Sequence, residues 1–237
     1  MKFLLLSMAA LLLASFTNAQ TVDEIINKHV EALGGKDKLS QIKSISYDEK
    51  IEIMGNESSE TVTILNGQGF KMETDFNDQQ RVQVVTDKGG WAATQSGGAS
   101  DAEAFTTDHY RLLETLIYLP DALFKYSAHG AKVELEGREE VDTVNAYKIK
   151  YISKDSAVVT FYIDPSTYYI IETVKQREVQ GQQTTISSIY SDYRKTDFGV
   201  YLPYTINTDY GQSSIKRNIN KVDINKDVNP SIFEMPK

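Results

Sequence analysis

Alternation of apolar and polar side chains over most of the chain is the feature that most limits how it can fold. Ile45 and Tyr47 in one run, and Phe70 and Met72 in another, alternate with polar residues. A period of two is that of a β-strand with one buried face. Short turns separate the runs, at Gly55-Asn56, Asn66-Gly67 and Lys88-Gly89-Gly90. Such turns join antiparallel neighbours and leave no room for crossover helices, so the first half is predicted to be an antiparallel meander.

Two segments break this period and predict helices. In the first, Thr21 and Glu24 form a capping-box pattern, and apolar residues follow at helical spacing until Gly34-Gly35. The second covers residues 101–126, after a flexible link at residues 96–100, and Pro120 divides it into two short helices. Because this second segment is apolar on nearly all sides, we expect it to be enclosed or to cover an apolar surface.

The second half of the chain returns to strand-like runs from Val133 to Ile224. A turn with proline at its second position interrupts them at residues 164–167. Strands and helices do not alternate along the chain, which argues against a parallel sheet. The predicted fold is mainly β with few helices, in which one strongly curved antiparallel sheet of about eleven strands has helices against one face.

The N-terminus, MKFLLLSMAALLLASFTNAQ, has one lysine, an apolar run and small residues before Gln20. This pattern is typical of a secretory signal peptide. The apolar run is shorter than the ~20 residues that span a bilayer, so cleavage after Ala19 is favoured over a retained anchor. We therefore expect residues 1–19 to be removed and residues 20–237 to form one exported, soluble domain without stable membrane insertion.

Composition and motifs argue against several classes of function. The chain has no cysteine, which excludes disulfides, thiol catalysis and thiolate metal sites. Its formal charge of −8 disfavours nucleic acid and anionic lipid headgroups as partners bound through bulk electrostatics. His29, His109 and His129 have no partner at metal-ligand spacing, and no Gly-x-Ser-x-Gly motif occurs. The acidic cluster of Glu139, Glu140 and Asp142 is interpreted as a solvated hairpin tip. We expect no metal, no cofactor and no enzymatic activity.

Large apolar side chains are abundant relative to the two helical segments that could cover them. The chain has 14 Tyr, 9 Phe and one Trp, and large residues occupy alternate positions of nearly every predicted strand. One alternative is an ordinary core filled by side chains. The other is a curved sheet that its own side chains fill incompletely, which leaves a cleft able to hold an apolar ligand.

Four stretches resemble a known family. They are EIINKHVEALGGKDKLSQIKSI, VVTFYIDPSTYYIIETV, YSDYRKTDFGVYLPYTI and VDINKDVNPSIFEMP. Together they resemble the outer-membrane lipoprotein-sorting proteins, the LolA/LolB-like family of Gram-negative bacteria, and in particular its Bacteroidetes-type branch. The resemblance implies an incomplete barrel of eleven antiparallel strands, with lid helices over an apolar cavity that shields lipoprotein acyl chains in the periplasm.

The resemblance implies a periplasmic carrier or chaperone for lipid or lipoprotein acyl chains, which acts as a monomer in transport to the outer membrane. An envelope sensor or protein-interaction module of the same fold is the alternative. The residues expected to line the cavity are Val62, Phe70, Met72, Val84, Trp91, Tyr147, Ile149, Phe161 and Ile163. Leu112, Leu116 and Leu123 are expected in the lid. Family carriers hold the lid with an arginine on the sheet, and Arg81 is the candidate for that role.

Overall fold

A computed structural model of the protein describes residues 20–76, 79–96, 99–179 and 182–236. Within these ranges the chain forms thirteen strands and a few short helices. The strands are β1 (Ser44–Ile53), β2 (Asn56–Leu65), β3 (Gly69–Phe76), β4 (Gln79–Thr86), β5 (Gly90–Ser96), β6 (Ala99–Ala104), β7 (Lys132–Val141), β8 (Val144–Ile152), β9 (Val158–Ile163), β10 (Ile170–Val179), β11 (Gln182–Lys195), β12 (Tyr201–Asp209) and β13 (Ser214–Ile224). The helices are α1 (Val22–Ala32), α2 (Lys36–Leu39) and α3 (Thr107–Leu113), with 3-10 turns at Glu114–Ile117, Tyr126–His129 and Pro230–Phe233.

All the strands belong to one open antiparallel sheet, in the order β6-β5-β4-β3-β2-β1-β13-β12-β11-β10-β9-β8-β7. The predicted fold class, mainly β with a single antiparallel sheet, is confirmed, with thirteen strands where about eleven were expected. Two meanders, β1 to β6 and β7 to β13, run outward from the middle, where β1 pairs with β13. The free edges of the sheet are therefore β6 and β7.

The segment between these two edges is the connection from β6 to β7, residues 105–131, which we call the lid segment. It contains α3 and two of the 3-10 turns and packs on one face of the sheet, which we call the inner face. Residues 101–104 were predicted to begin a helix, but they belong to β6, whose partner is β5. Pairing with a neighbouring strand outweighs the helical propensity of these alanine-rich residues.

The helix α1 packs on the inner face beside the lid segment. Its capping box is confirmed, because the Thr21 backbone N–H donates to Glu24 Oε2 at 2.8 Å and the Glu24 N–H donates to Thr21 Oγ1 at 3.2 Å. The helix buries Ile25, Ile26 and Val30 in the inner core. None of the helices in the described ranges is both long and apolar enough to cross a bilayer. The expected signal peptide, residues 1–19, lies outside those ranges.

The opposite, outer face carries a second and smaller core. It comprises Val82, Val84, Trp91 and Ala93 under Phe233 from the C-terminal 3-10 turn. The Trp91 indole N–H donates to the Phe233 carbonyl at 3.1 Å. The C-terminal segment thus covers part of the outer face, while the lid segment and α1 cover the inner face.

Candidate functional site

A cavity of about 390 Å³ lies between the inner face and the lid segment. Its volume falls near the low end of the ~300–1,000 Å³ range of small-molecule sites. Val62 on β2 and Phe161 on β9 both border it, although six strand spacings separate these strands in the sheet order. On a flat sheet that separation would be about 29 Å. The sheet must therefore curve around the cavity.

Apolar side chains from the sheet and from the lid segment face each other across the cavity. The register of β2 and β3 pairs Val62 with Met72 and Ile64 with Phe70, so two adjacent strands present four apolar side chains at alternate positions. Further apolar side chains of this wall include Leu33, Leu112, Leu113, Leu116, Val159 and Phe161. Alternation thus builds the apolar wall of the site directly.

Lys175 on β10 joins the sheet to the lid segment inside the cavity. Its ammonium donates to the Leu112 carbonyl at 2.6 Å and to Thr115 Oγ1 at 3.2 Å. Burial lowers the pKa of Lys175 to about 8, against the opposing charge of Glu114. The Lys175 ammonium therefore links the lid segment to strand β10 of the sheet.

Arg217 on β13 forms a second polar cluster in the cavity wall. Its Nε donates to Glu60 Oε1 at 2.8 Å and lies 3.8 Å from Glu49 Oε1, and Thr74 Oγ1 donates to Glu60 Oε2 at 2.6 Å. Glu49 and Glu60 are 5% and 3% exposed. Burial, a hydrogen bond to Glu60 and the charge of Glu60 raise the pKa of Glu49 to about 8, against the opposing charge of Arg217. These surroundings therefore favour the protonated form of Glu49.

His29 connects α1 to two other segments at the border of the cavity. One ring nitrogen, Nδ1, lies 2.7 Å from the Tyr168 carbonyl and the other, Nε2, lies 3.0 Å from Asp121 Oδ2. Burial lowers the pKa of His29, but the charge of Asp121 and the two hydrogen bonds outweigh it, so the pKa is raised. The protonated ring can donate to both acceptors, which fixes α1 against the lid segment.

A separate small cavity of about 10 Å³ lies beneath the lid segment beside Glu114 and His129. Among the described residues, both Glu114 carboxylate oxygens and His129 Nδ1 are buried without a hydrogen-bond partner. Burial raises the pKa of Glu114 and lowers that of His129, so each neutral form is favoured. The volume is close to that of one water molecule, which would satisfy these groups.

The structure distributes the predicted lining residues among three environments. Val62, Phe70, Met72 and Phe161 border the cavity from the sheet, and Leu112 and Leu116 border it from the lid segment. Tyr147, Ile149, Ile163 and Leu123 pack in the inner core outside the cavity. Val84 and Trp91 lie on the outer face against Phe233, so their expected place in the lining is corrected.

The misplaced pair has a simple physical cause. In β4 the run Val82, Val84 and Val85 is apolar on both faces, so alternation does not decide which face points inward. Pairing of Phe70 with Val85 puts Val85 inward and Val84 outward. Arg81 has the same parity as Val85 and is exposed outside the cavity lining. Lys175 is a basic side chain that donates to the lid segment, and the lid-holding role of Arg81 stays a prediction.

Sequence reasoning missed the polar members of the site, which are Glu49, Glu60, Lys175 and Arg217. A signal for them was present, because Glu60 is in phase with Val62 and Ile64, and Arg217 is in phase with Ile219. A charged residue at an inward position of an otherwise apolar strand is unusual and marks a buried pair or a site. Within the described ranges, no group of three or more His, Asp or Glu side chains has a geometry suited to a metal ion.

Comparison with known proteins supports the fold at low sequence identity. No protein-family model matches the chain, and no curated protein matches it significantly. A LolA superfamily protein from Nitrosomonas europaea superposes with a TM-score of 0.61 at 12% identity, over 91% of this chain and 98% of that chain. A DUF1329 family protein from Desulfovibrio piger gives 0.59 at 11% identity, over 91% and 98%.

A third solved structure, described as an outer membrane lipoprotein-sorting protein domain from Vibrio parahaemolyticus, gives a TM-score of 0.58 at 10% identity, over 88% of this chain and 95% of that chain. Identities this low establish a common fold and nothing finer. The chain thus has a fold similar to that of a LolA superfamily protein. The more specific resemblance to a Bacteroidetes-type branch stays a prediction.

Proposed function

We propose that the protein is a periplasmic carrier that binds acyl chains of a lipid or lipoprotein, without catalysis, in the cavity under the lid segment. The observation that supports this proposal is the cavity itself, whose wall combines apolar side chains of the sheet with Leu112, Leu113 and Leu116 of the lid segment. An acyl chain is the elongated, wholly apolar ligand that such a wall suits.

The energetics of acyl burial are adequate for such a role. Each buried methylene contributes about 0.8 kcal/mol, so a chain that buries about ten of them gains about 8 kcal/mol. This gain exceeds the lower part of the about 4–15 kcal/mol that association costs in lost freedom, so a single chain would bind weakly. Binding would be reversible, as a carrier that must release its cargo requires.

Uptake of a ligand requires the lid segment to move. Ile117, Leu119 and Leu123 of the lid segment pack in the inner core, whereas α3 has no buried residue. The contact that holds α3 over the cavity is polar, from the Lys175 ammonium to the Leu112 carbonyl. Such a contact can be exchanged for water at small net cost, whereas an extensive apolar contact cannot. We assign no catalytic step, because these polar groups are engaged with one another or with the lid segment.

Displacement of a fluorescent fatty acid tests the proposal. Met72→Trp places a large ring in the cavity and should weaken binding at least tenfold. Thr61→Trp is the matched control, because Thr61 is exposed on the outer face of the adjacent strand and should leave binding unchanged. Equal binding by both variants would contradict the assignment of the site.

Native mass spectrometry of protein purified from the periplasm provides the second test, in which we expect a bound lipid or acyl species. An empty protein that also takes up no fatty acid would refute the carrier role. A stable complex with another protein, recovered without lipid, would favour the envelope sensor or interaction module.

A further inference from the structure

We propose that the cavity takes an amphiphile rather than a purely apolar chain, and that the Arg217 guanidinium binds its head group, an anionic carboxylate or phosphate. This inference deepens the proposed function and rests on it. The supporting observations are the geometry of the Arg217 cluster and its position beside the apolar wall.

The acceptors of the cluster are already occupied by donors within it. Glu60 accepts from Arg217 through one carboxylate oxygen and from Thr74 through the other. Arg217 uses only its Nε in these contacts, and its two Nη groups make no hydrogen bond with any residue that the structure describes. Arg217 borders the cavity, so a forked pair of donors is left for a ligand.

Glu49 further occupies the acceptors of Glu60. Burial and the charge of Glu60 favour its protonated form, whose single O–H bonds to Glu60. The groups around it are Tyr47 on its own strand, Glu60 on β2 and Arg217 on β13. The cluster offers free donors, while its acceptors are already hydrogen-bonded, so it favours a head group rich in acceptor oxygens. The paired N–H groups of a guanidinium match the oxygens of a carboxylate or a phosphate.

The cluster lies directly beside the apolar wall. Glu60 and Val62 are two positions apart on β2 and point to the same face, which separates them by about 7 Å. Val62, Ile64, Phe70 and Met72 then extend the apolar surface away from the cluster. A head on Arg217 would thus place the first methylenes of its chain against Val62.

Arg217 suits the binding of a head group better than Lys175, another basic residue of the cavity. Lys175 already donates to Leu112 and Thr115 in the lid segment. The competing interpretation is that the Arg217–Glu60 pair only stabilises the fold, as buried ion pairs do in many proteins. Ligand selectivity separates the two interpretations, because a merely structural pair would not distinguish ligands by their head groups.

The experiment compares the dissociation constants of palmitate, hexadecyl phosphate and methyl palmitate for the wild-type protein, by displacement of a fluorescent acyl probe at pH 7. We expect at least one of the two anions to bind ten or more times more tightly than the ester. The better of the two identifies the head as carboxylate or phosphate. This comparison needs no variant and so does not depend on any variant folding.

A double variant, Arg217→Met with Glu60→Gln, removes the ion pair without leaving a buried charge. It should bind the ester as the wild type does and lose the preference for the anion. Lys216→Met is the matched control, since Lys216 is exposed on the same strand and contributes only to the general charge. Circular dichroism should show that both variants are folded.

The outcomes separate this inference from the proposed function. Equal affinity for all three ligands in the wild type would overturn the head-group site while leaving acyl binding intact. A preference for the anion that persists in the folded double variant would also overturn it. Failure of all three ligands to bind would refute both proposals together.

Discussion

Replacement of Lys175 by methionine should remove a defined, pH-dependent part of the stability of the protein. The ammonium donates to Leu112 and Thr115 of the lid segment, and burial lowers the pKa of Lys175 to about 8. An unfolded lysine has a pKa of about 10.4. Between these two values the unfolded chain holds a proton that the folded protein does not, so the free energy of unfolding rises with pH.

The size of this effect follows from the shift. One pKa unit corresponds to about 1.4 kcal/mol, so Lys175 should contribute up to about 3 kcal/mol of added stability above pH 10, lost as the pH falls through 8. Methionine has nearly the same length and carries no charge. At pH 7 we therefore expect Lys175→Met to be as stable as the wild type or more stable, despite the lost hydrogen bonds.

Urea unfolding of both proteins at pH 7, 8, 9 and 10 provides the measurement. Titrating groups that do not interact with Lys175, including Glu49, are common to both proteins and cancel in the difference, whereas Glu114 interacts with Lys175 and contributes to it. The wild type should gain stability relative to Lys175→Met between pH 8 and 10, while the exposed-lysine control Lys216→Met should show no such trend. A flat difference over that window would show that Lys175 is not buried in the way described.

Three further predictions concern the remaining contacts. Because the pKa of Glu49 is raised to about 8, its stabilising effect is fully present below pH 4.5 and is lost as the pH rises through 8. In urea unfolding, the free energy of unfolding should therefore fall less between pH 5 and pH 8 for Glu49→Gln than for the wild type. Thr21→Ala should lower the free energy of unfolding by about 1 kcal/mol through loss of the α1 cap, measured by thermal melting against Thr61→Ala on the outer face. Gly69→Ala should cost about 1–3 kcal/mol, because a Cβ there would lie 2.5 Å from the Phe233 ring; if Phe233→Leu in the same chain restores nothing, this contact is not the cause.

The fold followed from the sequence because its decisive signals are local. Alternation in β1 to β3 and the short turns between them fix antiparallel neighbours, and the faces assigned to Val62, Phe70 and Met72 follow from the same pattern. Strand β6 was missed because its alanine-rich sequence alternates weakly and becomes a strand only by pairing with β5.

The site was predicted less completely because its decisive signals are not local. Trp91 was assigned inward as a large apolar residue, but the outer face has its own cover in Phe233, which arrives from the far end of the chain. The Arg217–Glu60 pair joins β13 to β2 across β1. Neither contact can be read from the spacing of residues along one strand, since both depend on which strands meet in the sheet.

The pairing of β1 with β13 has a consequence for how the protein reaches this state. This pair lies at the centre of the sheet and joins strands from the two ends of the described chain. All the other strand pairs join strands that are consecutive in sequence. Hairpins form quickly, whereas closing so long a loop is slow. During synthesis, which starts at the N-terminus, the ten-residue edge of β1 therefore stays exposed until β13 has been made. The middle of the finished sheet is thus the last ladder to form, and the nascent protein is most prone to aggregation until that ladder closes.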